Sequence, residues 1–349
     1  MYDVVIVGGG PAGAMLAREL AAKDPQRKIL LIDGQNEQRR KVCGGLLAPD
    51  AQKVLAKLDL TLPNSVLADP QIFSVETMDL CSGDTRYYQR HYLNMDRLAF
   101  DRWLLSLIPD SVEIKSGRCI AIDEKADGFT LKIKDEDAIS QIEARIIVGA
   151  DGASSIVRRH FFGVKMLQYV AIQEWYPQED PGVPAYSCIF DESTSDSCSW
   201  TIRKDGCMIF GGAFRQSGCR KAFEVQKKHL EEKLGCSLGE PIKREACLLS
   251  SPRRMRDFIV GKPGVYLVGE AAGFVSASSF EGISSAFLSG RALADACLNG
   301  KNAEEILRFY RKNTASLRWK LYWKTIKRWV LCTPILRRMI MKSGIQSVK

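Results

Sequence analysis

The chain begins with an apolar run that leads into a cluster of glycines. Residues 4–7 are four consecutive apolar residues, and Gly8, Gly9 and Gly10 follow them directly. An unbroken run of this kind predicts a buried parallel strand, and residues 14–22 then predict a helix. Similar runs at residues 28–32, 144–148 and 265–268 predict further buried strands of the same sheet.

A second pattern, typical of half-exposed strands, occupies the regions between these runs. Strands rich in β-branched and aromatic residues, or with alternating polarity, are predicted at residues 69–78, 85–93, 185–190, 197–202 and 207–210. Residues 113–134 predict a small antiparallel set. Helices are predicted at residues 50–57, 95–107, 220–234 and 282–298, and the chain from residue 302 onward is predicted to be helical and basic.

The glycines after the first run have the spacing of a dinucleotide-binding turn. Gly8 permits the tight turn, Gly10 lets a pyrophosphate approach the backbone, and Gly13 allows the helix to pack closely on the strand. The N-terminus of that helix supplies amide donors for the phosphates. Asp33 follows at the distance where an acid accepts hydrogen bonds from an adenosine ribose. An ordinary strand–turn–helix is the alternative, which the position of Asp33 disfavours.

Together the two patterns predict an α/β (α+β) protein. A Rossmann-type dinucleotide-binding domain would carry an inserted, mostly antiparallel β-sheet domain for the substrate, followed by a helical basic C-terminus. The nucleotide domain would be discontinuous, because the sequence shows no internal repeat or linker. Its residues would be 1–65, 94–165 and 261–300, with the substrate domain at 66–93 and 166–260 and the C-terminal segment at 301–349.

Composition and charge narrow the class of protein. Of the 349 residues, 46% are hydrophobic and 26% charged, and no apolar run is long enough to span a bilayer. Eleven cysteines without a Cys-x-x-Cys pair argue against a disulfide framework and a zinc knuckle, so we expect no metal site. No export signal is visible, so a cytoplasmic location is expected. The net charge of +9 comes from residues 306–349, which contain twelve Lys or Arg and no acid.

Three glycine-bearing segments, in this order, carry a resemblance to a known family. They are the N-terminal turn, residues 149–152 (Gly-Ala-Asp-Gly) and residues 269–272 (Gly-Glu-Ala-Ala). They resemble the FAD-binding elements of the flavoprotein monooxygenase and geranylgeranyl reductase superfamily, whose fold is shared with para-hydroxybenzoate hydroxylase. The resemblance covers most of the chain and implies that the Rossmann-type domain binds FAD.

The same resemblance implies a set of cofactor contacts. Arg97 stands in a segment like the family's Arg-x-x-Phe-Asp, whose arginine lies beside the cofactor. Asp151 would help to close the pyrophosphate site, and Glu270 would replace the aspartate that usually binds the ribityl chain. Residues 281–283 match a Glu-Gly-Ile beside the flavin pyrimidine, although the usual upstream proline is missing. The implied cofactor-binding residues are Gly8, Gly10, Pro11, Ala12, Gly13, Asp33, Arg97, Asp151, Gly152, Glu270, Gly282 and Ile283.

Two further segments favour the geranylgeranyl reductase branch and imply a substrate cavity. Residues 41–45, Lys-Val-Cys-Gly-Gly, are similar to that branch's Lys-Pro-Cys-Gly-Gly, which places a cysteine near the flavin. Residues 198–206 resemble its Tyr-x-Trp-x-Phe-Pro-Lys-x-Gly, with Cys198 and Arg203 replacing the tyrosine and the proline. The alternatives are a buried structural thiol and a sheet-core tryptophan, and no catalytic residue is assigned. The implied cavity residues are Cys43, Gly44, Gly45 and Trp200.

The C-terminal segment predicts an amphipathic helix from residue 318. Its apolar stripe and its cations would fall on opposite sides, with Trp319, Tyr322, Trp323, Ile326, Trp329 and Val330 in the stripe and Lys320, Lys324, Lys327 and Arg328 as the cations. We expect residues 318–331 to meet an anionic membrane, which would make the protein peripheral on the inner membrane face. The alternative is a helix whose stripe packs on its own domain and whose basic face is solvated.

The resemblance implies an FAD-dependent oxidoreductase of geranylgeranyl reductase type. Reduced flavin would pass hydride to a C=C bond of an apolar isoprenoid or lipid-like substrate. NAD(P)H or another reductant would be a transient electron donor, because the sequence holds no second nucleotide fingerprint. The alternatives are an FAD-dependent monooxygenase or halogenase and, from another class, a non-catalytic flavin-bound membrane-interaction protein. The charge pattern gives no reason to expect nucleic acid as a partner.

Overall fold

Two eight-stranded sheets organise the protein in a computed structural model that describes residues 1–34, 41–136, 138–177 and 184–344. Each of the three predicted segments includes a few residues outside these ranges, among them 345–349 at the end of the C-terminal segment. The described strands are β1 (Tyr2–Val7), β2 (Ile29–Asp33), β3 (Leu46–Leu47), β4 (Ile72–Asp79), β5 (Thr85–Asn94), β6 (Val112–Ser116), β7 (Arg118–Lys125), β8 (Gly128–Asp135), β9 (Ala138–Gly149), β10 (Gln168–Pro177), β11 (Tyr186–Phe190), β12 (Cys198–Lys204), β13 (Cys207–Arg215), β14 (Lys243–Ser250), β15 (Gly261–Lys262) and β16 (Val265–Leu267). The described α-helices are α1 (Pro11–Lys23), α2 (Pro49–Lys57), α3 (Arg97–Ser106), α4 (Ile156–Phe162), α5 (Cys219–Leu234), α6 (Ile283–Asn299), α7 (Ala303–Asn313), α8 (Ala315–Cys332) and α9 (Pro334–Lys342).

The first sheet contains the predicted buried parallel strands. Its order is β15-β16-β9-β1-β2-β6, and β16, β9, β1, β2 and β6 pair in parallel. The prediction that residues 113–134 form a small antiparallel set is wrong for the first strand of the set, β6. β6 lies parallel to β2 at the edge of this sheet, whereas β7 and β8 are antiparallel and join it through β9.

Helices from opposite ends of the chain meet on this sheet. The apolar residues of β1 are buried, α1 packs against this strand, and α6 packs directly on α1. Gly290 of α6 makes that approach possible, since a Cβ there would lie 2.7 Å from the carbonyl oxygen of Ala12. The first and last elements of the predicted nucleotide domain therefore share one hydrophobic core.

The second sheet is mostly antiparallel, as predicted. Its order is β14-β10-β13-β12-β11-β4-β5-β3, and β4 with β11 form its parallel pair. The short strand β3 comes from the range predicted for the nucleotide domain but pairs with β5. Helix α5 covers the outer face, where Phe223 stacks on Phe210 with ring centroids 5.0 Å apart. The opposite face, which carries Gln173 and Trp200, turns toward the cavity described below.

The C-terminal helices lie on the protein with their apolar stripe turned outward. Leu317 and Leu321 make the buried contacts of α8, whereas Trp319, Trp323 and Trp329 are 57%, 63% and 63% exposed. The alternative in which this stripe packs on its own domain is therefore wrong for most of its residues. Tyr322 and Val330, at the margin of the stripe, are half-buried. None of the helices in the described chain is both long and apolar enough to cross a bilayer.

The prediction that Arg328 belongs to the membrane-facing cations of α8 is wrong. This side chain is buried, pairs with the Asp196 carboxylate at 3.1 Å and donates to the Tyr169 hydroxyl at 3.0 Å. Lys320 also has an acidic partner, since its Nζ lies 2.8 Å from Asp50 Oδ2. Burial lowers the pKa of Lys324 even though Glu281 and Asp50 attract its charge. Of the four cations, Arg328 is therefore buried and Lys324 half-buried against the protein, whereas Lys320 and Lys327 are exposed.

Candidate cofactor and substrate site

A cavity of about 840 Å³ is lined by residues of both sheets. The N-terminal glycine turn and the end of β2 form one part of its wall, and the inner face of the second sheet forms another. Apart from Gly13, which lies beneath the turn, all the implied cofactor and cavity residues line it. Segments from residue 8 to residue 283 thus converge on one space.

The glycine turn has the close contacts that its sequence predicts. Gly8 has φ +118°, and a Cβ on it would lie 2.4 Å from the Ala150 carbonyl oxygen. A Cβ on Gly13 would lie 2.0 Å from the carbonyl oxygen of Gly8. At Gly10, by contrast, a Cβ would meet no atom of the described chain within 4 Å. Side chains larger than glycine are therefore excluded by the backbone at two positions, while the third borders open space.

The N-terminus of α1 points its amides at this space. Pro11 is the first residue of the helix, and no side chain of the described chain caps it. Asp33 ends β2 beside the turn, where a Cβ on Gly9 would lie 2.7 Å from its Oδ1. A helix terminus without a side-chain cap, next to a carboxylate, suits a ligand that carries both phosphate and hydroxyl groups.

Asp151 has one carboxylate oxygen held by the protein and one that is not. Its Oδ2 accepts from the backbone amide of Ile156 at 2.7 Å, whereas its Oδ1 is enclosed and has no hydrogen-bond partner among the described residues. Burial raises the pKa of this carboxyl. An enclosed acceptor without a partner at a cavity wall is available to a ligand that donates a hydrogen bond.

Both carboxylate oxygens of Glu270 already bind protein groups, whereas the resemblance implies that this carboxylate binds the ribityl chain. Its Oε1 accepts from the Ser250 amide at 2.8 Å, and its Oε2 pairs with Lys41 Nζ at 3.0 Å. Burial alone would lower the pKa of Lys41, but the charge attraction and hydrogen bond of Glu270 together with the attraction of Cys247 outweigh it, and the pKa is raised. The longer side chain at this position therefore reaches two protein partners. Lys41 belongs to the Lys-Val-Cys-Gly-Gly segment, but the sequence does not predict its pairing, because Glu270 lies 229 residues away.

Arg97 is oriented by its own helix. It is the first residue of α3, which Asp96 caps by accepting from the Ala99 amide at 2.7 Å. One turn later, Asp101 Oδ1 accepts from Arg97 Nε at 2.9 Å, and both side chains are largely buried. The guanidinium is thus held at the cavity wall as a fixed cation.

The implied substrate residues lie on the cavity wall. Cys43 and Trp200 are both half-buried, and Trp200 also packs against the hydrophobic cluster that contains Ile202 and Ile209. The Gly45 amide donates to Cys43 Sγ at 3.4 Å. The Trp200 indole lies over Gly211 of the next strand, where a Cβ would be 2.6 Å from Trp200 Nε1. A glycine in β13 therefore makes room for the tryptophan that forms this wall.

Sequence reasoning missed two tyrosines at the cavity. Tyr92 and Tyr186 meet edge to face with ring centroids 5.4 Å apart, and Tyr92 Oη donates to Glu281 Oε1 at 2.7 Å. Burial and the neighbouring Glu281 raise the pKa of Tyr92. Arg90 adds an ion pair to Glu281 at 3.2 Å. Glu281 was visible in a motif, but strands β5 and β11 carry no local signal that would bring their tyrosines together.

A buried lysine lies close to Gly45. Lys204 is 3% exposed, and its Nζ donates to the Met95 carbonyl. A Cβ on Gly45 would lie 2.1 Å from this Nζ, so the lysine contacts the backbone of the cavity wall. Burial lowers the pKa of Lys204 to about 8.

Comparison with known proteins shows the family to which this site belongs. Residues 3–184 match the family described as Lycopene cyclase protein. The protein CbrA of Escherichia coli O6:H1 is 44% identical over 353 aligned residues, which cover 99% of this chain and 94% of CbrA. The chain belongs to the CbrA family of lycopene cyclase-type proteins.

Two solved structures share the fold of this CbrA-family chain. A geranylgeranyl bacteriochlorophyll reductase-like protein from Thermoplasma acidophilum has a TM-score of 0.79 at 19% identity, over 96% of this chain and 87% of the other. PqsL of Pseudomonas aeruginosa, described as a probable FAD-dependent monooxygenase, has a TM-score of 0.73 at 18% identity over 99% of both chains. The predicted fold class is confirmed, as is the resemblance in fold to a geranylgeranyl reductase-like protein and to a probable FAD-dependent monooxygenase.

Proposed function

We propose that the chain is an FAD-dependent oxidoreductase that reduces a C=C bond of an apolar, isoprenoid or lipid-like substrate. The observation that carries this proposal is the cavity, which joins a dinucleotide-type glycine turn to a wall of apolar side chains. Ala171, Trp200, Ile202 and Leu248 belong to that wall. Because such a wall excludes water and offers few hydrogen bonds, it favours an apolar substrate.

The residues present fit FAD. Gly10 borders open space next to the uncapped N-terminus of α1, so the backbone can receive a pyrophosphate. Asp33 would accept from the hydroxyls of the adenosine ribose. The enclosed Oδ1 of Asp151 would gain a hydrogen-bond donor that the described chain does not give it. When bound, the flavin would supply hydride transfer, the step that amino-acid side chains cannot perform.

The chain's own residues would bind and orient the two reactants. Arg97 would hold a fixed positive charge beside the cofactor, because Asp101 fixes its direction. Cys43 and Trp200 would keep the substrate against the opposite wall. NAD(P)H or another reductant would bind transiently, since the sequence contains one nucleotide fingerprint. The implied cofactor-binding set from the sequence therefore stands as part of this proposal.

An anaerobic single-turnover experiment tests the reaction class. The FAD-loaded protein would be reduced with dithionite, freed of excess reductant and mixed with an unsaturated isoprenoid lipid. We expect the absorbance of oxidised flavin to return and a product to form that has gained two hydrogen atoms. The Trp200→Ala protein, which lacks one side chain of the substrate wall, would be compared in the same experiment. A product that forms only with oxygen, or only with halide, would contradict the reductase proposal.

A monooxygenase is the second candidate, and the similarity to PqsL over both whole chains supports it. It predicts that the same reduced protein gives no product anaerobically but incorporates an oxygen atom when oxygen is admitted. Labelled oxygen in the product would identify this outcome. Absence of turnover under both conditions, with FAD retained, would favour the non-catalytic alternative.

A further inference from the structure

Helices α8 and α9 present several large apolar side chains to solvent. We call these the outer apolar face. Each member is between 39% and 72% exposed, and the set consists of Trp319, Trp323, Ile326, Trp329, Ile335 and Met339. Scattered apolar residues are ordinary on a protein surface, but a set of this size on adjoining helices marks an interaction site.

Buried arginines on the inner sides of these helices fix the outward direction of the face. Arg328 of α8 pairs with Asp196, which lies in the loop between β11 and β12. Arg337 of α9 pairs with Asp79 at 2.8 Å, where the two side chains are 3% and 0% exposed, and also with Glu192. Because these pairs bind the polar sides of the helices to the protein, the apolar side is left to face outward.

Exposed cations lie on the same helices as the outer apolar face. Lys327, Arg338 and Lys342 are exposed on the same two helices, and residues 306–349 contain no Asp or Glu. A surface that combines exposed tryptophans with charges of one sign complements an anionic bilayer, where tryptophan rings enter the headgroup region and cations meet phosphates. A symmetric dimer through this face would bring cations against cations, which disfavours a second copy of the chain as the occupant.

The face also lies close to the cavity. Lys320 of α8 pairs with Asp50 of α2, the helix whose residue Ala51 lines the cavity. Lys324 lies near Glu281, which lines it as well. A bilayer on the outer apolar face would therefore be adjacent to the part of the cavity wall that contains Ala51 and Glu281.

We propose that the outer apolar face binds the headgroup region of an anionic lipid bilayer and holds the protein there as a peripheral protein. This corrects the arrangement expected from the sequence, because Arg328 serves as an anchor to the protein and α9 contributes to the surface. The proposal goes beyond the reaction and does not depend on it, since an oxidoreductase of either class, or a protein without turnover, could bind in this way.

Vesicle sedimentation of the full-length protein tests the charge contribution. Vesicles of phosphatidylcholine alone would be compared with vesicles containing phosphatidylglycerol, at low and high salt. Each cation near an anionic surface changes the partition constant about fivefold, so loss of three cations alone lowers it on the order of a hundredfold, and the charge reversal Lys327→Glu, Arg338→Glu, Lys342→Glu should lower it by at least that factor at low salt. The matched control reverses three exposed cations elsewhere, Lys134, Lys165 and Lys228, and should bind within about threefold of the parent.

A second pair of variants tests the apolar contribution. Trp323→Gln, Trp329→Gln should bind at least tenfold more weakly than a control with Ile139→Gln, a residue equally exposed on β9. Thermal unfolding checks that all variants are folded, and the parent's tryptophan emission should shift to the blue on binding. Equal binding of the parent and both outer-face variants would overturn the proposal. Absence of vesicle binding together with a dimer that Trp323→Gln, Trp329→Gln dissociates would overturn it in favour of self-association.

Discussion

Gly10 offers a substitution that separates cofactor binding from stability. Its φ of −70° and ψ of −178° suit any residue, and a Cβ there would meet no atom of the described chain within 4 Å. Gly10→Ala should therefore leave the unbound protein as stable as the parent, or more stable by about 0.4–1 kcal/mol, because alanine restricts the unfolded chain. The same methyl group would stand where a pyrophosphate approaches the turn.

The loss of affinity follows from the contacts that this methyl group would displace. If one amide–phosphate hydrogen bond is broken, the loss is about 1.5–3 kcal/mol, the range for hydrogen bonds to charged groups. This corresponds to a ten- to hundredfold weaker binding of FAD, at about 1.4 kcal/mol for each factor of ten. Gly13→Ala differs, because its Cβ would lie 2.0 Å from the Gly8 carbonyl oxygen. Strand and helix would have to separate, at a cost of about 1–3 kcal/mol.

The assay uses protein from which the cofactor has been removed. FAD would be titrated back while its fluorescence is followed, and the cofactor-free proteins would be unfolded with urea. We expect Gly10→Ala to lose affinity alone and Gly13→Ala to lose both affinity and stability. FAD affinity of Gly10→Ala within about twofold of the parent would refute the reasoning that the turn receives the pyrophosphate.

Two further substitutions test buried charges. The pKa of Lys204 is about 8 in the folded protein, against an ordinary value of 10.5. Between these two pH values the unfolded chain holds a proton that the folded chain has lost. The free energy of unfolding should therefore rise with pH by up to about 3 kcal/mol relative to Lys204→Met. Urea unfolding across this window measures the difference, and parallel curves for the two proteins would contradict it. Arg337→Met should destabilise the protein by about 3–5 kcal/mol, because it leaves the Asp79 carboxylate buried without its cation. Adding Asp79→Asn should recover part of that loss, and an unchanged urea midpoint for Arg337→Met would rule out an anchoring role.

The nucleotide half of the fold could be predicted because its signals are local. Apolar runs such as residues 4–7 need cover on both faces, and a glycine turn after such a run leaves few alternatives to a strand followed by a helix. The same is true of Asp33, whose place at the end of β2 follows from the length of the preceding run. For these residues the sequence determines the position relative to their neighbours, and the structure brings them to one cavity.

The remaining features depend on partners that are far away in the sequence. The amphipathic pattern grouped Arg328 with the other cations, but Asp196 and Tyr169 decide its direction. The pairing of Lys41 with Glu270 is likewise invisible to any local pattern. The side-chain pattern of β6 is similar to that of the antiparallel strands that follow it. Such a pattern does not determine which neighbouring strand β6 pairs with. Local sequence thus predicts elements, while long-range contacts set their environment.

Because α6 packs on α1, the first helix cannot be fully covered until late in the synthesis of the chain. Residues 283–299 leave the ribosome long after residues 11–23, on the order of 15–60 s later at roughly 5–20 residues per second. During this interval the apolar side of α1 that α6 covers has no partner, and β1 lacks its pairing with β9. The core that α1 and α6 share can therefore close only after most of the polypeptide has been made.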